Sequence, residues 1–192
     1  LFFLSATALG LTYKGIMTFL PVYMGQNVGL ADRFSAVTLG GAFATIALLS
    51  GAGGQYLSGR LVDRYPAERV YLGSVVLGSV FVFAMAVCRG WLLLVSAVLY
   101  AFFYFSVQPT QNYLVSRYLP SHHRGLGYGV LFLLTFGVGS TAAAISGYLA
   151  DRFGLESVFW AMGGCFLASA AMVTALLLRS AGAGNSPVGD AV

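Results

Sequence analysis

The sequence predicts an all-α membrane protein, six transmembrane helices arranged as two inverted three-helix repeats. Three observations predict it. Of the 192 residues, 58% are apolar, 15% aromatic and only 8% charged, and the mean hydropathy is +0.83, far from the balance of a soluble domain. The charges are clustered, so they leave six long apolar runs between short connectors. The chain also aligns with itself: "GRLVDRY" starts at Gly59 and "GYLADRF" at Gly147, an offset of 147 − 59 = 88 positions.

The expected spans are 1–24, 34–59, 70–88, 91–116, 125–150 and 157–178. About 20 helical residues at roughly 1.5 Å each cross the hydrocarbon core, and each run suffices. Continuous apolarity selects helices, because the strands of a membrane barrel alternate in polarity over about ten residues. The first span is unusual in carrying Lys14 near its middle. The connectors hold the charges, as in Arg60 to Arg69 and Arg117 to Arg124. Residues 180–192 are small, Gly-rich and polar, and are expected to form a disordered cytoplasmic tail. The first residue is not Met and no signal-peptide pattern opens the chain, so the sequence is expected to be a piece of a longer polypeptide.

Several function classes fit poorly. Ten basic residues scattered over separate connectors form no continuous face for a nucleic acid. His122 and His123 share one connector without the Cys or carboxylate partners of a metal site, and no cofactor motif is present. Cys88 and Cys165 fall at or inside spans and are expected to pack as small apolar groups. Ser140 in "GVGSTAAA" has the setting of an intramembrane nucleophile, but the histidines lie in a connector and not at matching depth, so an enzyme is a remote alternative.

If the spans alternate, Arg60, Arg64, Arg69, Arg117, Arg124 and Arg179 gather on one side, against Arg33, Arg89 and Arg152 on the other. The positive-inside rule then puts both ends of the chain in the cytoplasm. The repeat goes beyond the motif: Pro21 aligns with Pro109, Gly41 with Gly129, Gly51 with Gly139, Asp63 with Asp151 and Arg64 with Arg152. An offset of three spans inverts the second copy across the membrane, and inverted three-plus-three repeats mark secondary transporters.

Candidate binding residues follow from polarity at depth. A cation at mid-bilayer costs about 2.5 to 3.5 kcal/mol and is tolerated beside water or a partner. Lys14 and Thr18 share a helical stripe, with Pro21 one turn on as a point where the helix can break. The fourth span answers with Tyr100, Tyr104, Gln108 and Gln111. A cavity bearing a cation, amides and phenols suits an anionic or polyhydroxylated solute. Blander alternatives stay open: Lys14 snorkelling to an interface, Tyr100 as an interfacial aromatic, and the two glutamines satisfying carbonyls freed by Pro109.

"GRLVDRY" after the second span resembles the Gly-x-x-x-Asp-Arg signature of the major facilitator superfamily. "LPSHHRGLGYG" is similar to the connector before the fifth helix of each six-helix half, and "GYLADRF" to the echo after it. The resemblance covers nearly the whole chain and implies the C-terminal half of a permease in the cell (inner) membrane. It implies alternating access for a small-molecule substrate, a coupling proton, and an N-terminal half as partner. A self-pairing or non-transporting six-helix scaffold is the alternative. The resemblance further implies that the first and fourth helices line the pathway, and that Gly59, Asp63 and Arg64 form a cytoplasmic latch. Gly147, Asp151 and Arg152 would be its external echo. The chain departs from the motif at Pro66, Ala67 and Glu68, where glycine and basic residues are usual. No acidic residue falls inside an expected span, so a proton-carrying carboxylate is expected outside this half.

Overall fold

The computed structural model describes residues 1–28 and 35–183 and consists of six long helical rods. They are α1 (Phe2–Asn27), α2 (Ala36–Val62), α3 (Ala67–Val87), α4 (Gly90–Tyr118), α5 (Ser121–Phe153) and α6 (Leu155–Ala183). All but α2 meet both length and hydropathy requirements for a membrane span among the described residues. α2 is 27 residues long and has no charged residue before Arg60. The chain is an all-helical integral membrane protein, as its composition predicts.

The rods outrun the expected spans, because apolarity marks the buried length while helices continue into the interfaces. α5 extends past its expected span at both ends, starting in a 3-10 turn at Ser121 and ending at Phe153. α6 continues to Ala183, so residues 180–183 are helical rather than part of a disordered tail. The rest of that tail, 184–192, and Arg33 lie outside the described residues. Gly90 and Gly154 make the tight connections before α4 and after α5 with φ of 59° and 86°, in the left-handed region that glycine enters without a steric cost. Pro21 and Pro109 sit inside uninterrupted helices, so the break expected at Pro21 does not occur. There α2 instead comes in close: a Cβ on Gly40 would lie 2.8 Å from the Pro21 ring.

Pairings between rods reveal the repeat. α2 lies along α4 and α5 along α1, while α3 packs on α4 as α6 packs on α1. Exchanging the first three helices with the last three preserves this pattern, and α3 against α6 closes the bundle. Individual contacts give the directions. Ser50 Oγ donates to the Val98 carbonyl at 2.9 Å and Ser58 meets Thr110 at 3.0 Å, so α2 and α4 run parallel. Ser5 bonds Ser169, whereas Thr12 bonds the Met162 carbonyl, so α1 and α6 run antiparallel. The rods alternate, and the offset of three places the second repeat upside down.

Close approaches follow the same symmetry. A Cβ on Gly54 would fall 2.1 Å from the Phe102 carbonyl oxygen in α4, and one on Gly10 would fall 2.2 Å from that of Thr135 in α5. Gly139 lies against the Gly10 backbone in turn. Small residues that let backbones touch drive helix association in a bilayer, where hydrocarbon solvates a leucine as well as a protein core does. Near Gly10 the α5 ladder loosens into a π turn over Leu133–Gly137 and a 3-10 turn over Val138–Ser140.

A buried polar chain ties four rods together. Gln111 Nε2 donates to Tyr71 Oη at 3.1 Å, Tyr71 shares a hydrogen bond with Ser5 at 2.8 Å, and Ser5 bonds Ser169 at 2.8 Å. Side chains of α4, α3, α1 and α6 are thus fixed in one register.

Candidate functional site

Between α1, α4 and α5 the bundle leaves a narrow cleft with a cavity volume of about 40 Å³. Tyr104, Gln108 and Gln111 line it from α4, Leu9 from α1, and Phe132, Thr135 and Phe136 from α5. The Thr135 hydroxyl is buried and has no hydrogen-bond partner among the described residues. Gln108 uses its side-chain carbonyl to accept from Gln55 Nε2 at 2.7 Å. Both glutamines bond to side chains of neighbouring helices, not to carbonyls around Pro109.

Lys14 stands at the edge of this cleft. Its ammonium lies 5.7 Å from the ring centre of Phe136, a cleft residue, and 6.0 Å from that of Tyr13. Tyr13 stacks on Tyr104 with centroids 4.7 Å apart. Lys14 is half-buried and has no carboxylate within ion-pair distance among the described residues. The quadrupoles of aromatic faces attract the charge, at about 0.5 to 2 kcal/mol, but leave its hydrogen-bonding capacity unused.

Two predicted residues lie elsewhere. Tyr100 is fully buried in the core beside Tyr104 and Phe166, and does not face the cleft. Thr18 is exposed, and its hydroxyl donates to the Lys14 carbonyl at 2.7 Å. A four-residue spacing fixes only which side of a helix a residue shares. The depth of neighbouring helices decides what that side meets. Sequence reasoning missed the whole α5 wall, since Phe132, Thr135 and Phe136 look like ordinary span residues; the polar Thr135 was the one available signal.

At one end of the bundle, Asp63 and Arg64 follow α2 with exposed side chains, and Asp63 forms no hydrogen bond or ion pair among the described residues. A Cβ on Gly59 would meet nothing within 4 Å, so no helix of this bundle closes on it. Glu68 is different. The structure places it in the first turn of α3, 6% exposed, where Tyr118 donates to it at 2.8 Å and Arg117 approaches to 3.7 Å. Glu68 lies outside the expected span 70–88: the helix begins earlier than the apolar run, and its dipole favours a carboxylate in the first turn, as at Glu156 in α6.

The opposite end has its own clasp. Arg89 pairs with Glu156 and donates to the Tyr23 hydroxyl at 2.8 Å, joining the α3–α4 and α5–α6 connections to the end of α1. Asp151 and Arg152 are exposed nearby in sequence, and Gly147 approaches Phe19, whose Cζ would be 3.7 Å from an added Cβ. Ser140 donates to the Phe136 carbonyl of its own helix, while His122 and His123 lie exposed in the 3-10 turn that opens α5.

Six alternating helices in two inverted triplets, with a cleft between the first helices of each triplet and α5, are the kind of architecture on which many transporter folds are built. Residues 2–190 match the Major Facilitator Superfamily, and the chain belongs to that superfamily of membrane transporters. A comparison with curated proteins returned no match.

Proposed function

We propose that the chain forms one half of the solute pathway of a secondary active transporter that moves a small organic anion by alternating access. The observation that carries this reading is Lys14, a mid-span ammonium without an acidic partner among the described residues, beside Phe136 of an amide- and aromatic-lined cleft. Lys14 would bind the solute's carboxylate, with Tyr104, Gln108 and Gln111 receiving its polar body. A polyhydroxylated solute would use the same amides without needing the charge. Comparing uptake of carboxylates with uptake of neutral solutes in Lys14→Met separates the two.

A coupling proton, a cell (inner) membrane location and cytoplasmic ends complete the proposal, on the family's habits and the arginine distribution. Gly59, Asp63 and Arg64 would latch the cytoplasmic side against a complementary half. Asp63, exposed and without a partner among the described residues, supports this, because a carboxylate at the end of α2 can cap a helix N-terminus brought to it. Gly147, Asp151 and Arg152 would be the external echo. Asp63→Ala is expected to insert and fold normally while the transport rate falls about tenfold, a cap contributing roughly 0.5 to 2 kcal/mol. Unchanged transport in vesicles would rule the latch out.

A further inference from the structure

A second cavity, larger than the cleft and on another face of the bundle, shares no lining residue with it. α2 and α3 touch each other little and both lean on α4, which leaves a groove with a cavity volume of about 280 Å³ between them. Leu57 and Leu61 form one wall, Val70 and Leu77 the other, and Phe102 and Phe103 the floor. Gly73 interrupts the α3 wall, and a Cβ there would meet nothing within 4 Å. Arg69 and Tyr65 stand at the mouth.

The groove's length, chemistry and charge fit one occupant. From Arg69 to Leu77 the α3 wall rises about 12 Å at 1.5 Å per residue, close to one leaflet's share of a hydrocarbon core about 30 Å thick. Water has no place at that depth, so hydrocarbon fills an apolar groove that opens to the bilayer. The mouth is basic. Arg69 is exposed and has no carboxylate within ion-pair distance among the described residues, since its neighbour Glu68 is turned inward to Tyr118 and Arg117. Arg60, one of the other two cations of this end of α2, lies over the Tyr56 ring 4.6 Å from its centre. A guanidinium's paired donors match the oxygens of a phosphate.

We propose that this groove is a binding site for an anionic phospholipid, with an acyl chain laid between α2 and α3 and the phosphate held by Arg69. The full-length protein would be reconstituted with equal amounts of phosphatidylglycerol and phosphatidylcholine and its retained lipid measured by native mass spectrometry. The wild type should keep phosphatidylglycerol in preference. Arg69→Gln should lower that preference about fivefold, the effect of one basic residue near an anionic surface, while still retaining a chain. Gly73→Leu projects into open space, so it should leave the thermal midpoint in detergent unchanged and expel both lipids. Equal retention of the two lipids by the wild type would overturn the proposal. So would unchanged retention in Gly73→Leu, and if that variant also lost self-association the groove would belong to a second copy of the chain.

Discussion

In Lys14→Met, carboxylate uptake is expected to fall about 10- to 100-fold while uptake of neutral solutes changes little. A hydrogen bond to a charged group contributes roughly 1.5 to 3 kcal/mol, and each 1.4 kcal/mol is a factor of ten. The full effect should appear because Lys14 has no carboxylate within ion-pair distance among the described residues. Met keeps an unbranched apolar stem one atom shorter, so the cation–ring contacts with Tyr13 and Phe136 go with the charge while the packing of the stem remains. Lys14→Arg should recover part of the uptake, since it restores charge in a different shape. Equal loss for charged and neutral solutes, or no loss for either, would remove charge recognition from the account.

The second large effect is structural. Gly10→Ala is expected to destabilise the protein by about 1 to 3 kcal/mol, the usual cost of overpacking. Its new Cβ would need to occupy space 2.2 Å from the Thr135 carbonyl oxygen, a backbone atom that moves only if α5 moves. Gly54→Ala meets the Phe102 carbonyl in the same manner on the α2–α4 side and should lose a similar amount. Gly41→Ala is the control. Nothing lies within 4 Å of its Cβ, so helix propensity alone acts and stability stays level or rises by up to about 1 kcal/mol. Thermal unfolding in detergent checks all three, and a stable Gly10→Ala would show that α1 and α5 do not depend on that close contact.

These examples also show what was legible in the sequence. Helix number, alternation and inverted repeat are written in the spacing of rare charges and in the offset of 88 between Gly59 and Gly147, since few residue types are tolerated at span ends. Contacts between rods are less legible. Gly59 and Gly147 stand out in the motif, yet the close approaches fall at Gly10, Gly54 and Gly139, which look like any span glycine until a neighbour's depth is known. The same limit separates Gln108 and Tyr104, which reach the cleft, from Tyr100, one turn before Tyr104 and wholly inside the core. Glu68 shows a third limit. In the sequence it is a departure from the motif, whereas the structure takes it into the first turn of α3 and pairs it with Tyr118.

The central claim, that the cleft between α1, α4 and α5 is a solute pathway, is tested most directly by the reactivity of a cysteine placed in it. With Cys88 and Cys165 replaced by alanine, Gln108→Cys in intact membranes should react with a hydrophilic maleimide, and a transported carboxylate should slow the reaction. A cysteine at Val76, an exposed apolar position on α3 away from the cleft, should stay unreactive. A Gln108→Cys protein as inert as the Val76→Cys protein would show that water and solute do not enter the cleft, and would contradict the account.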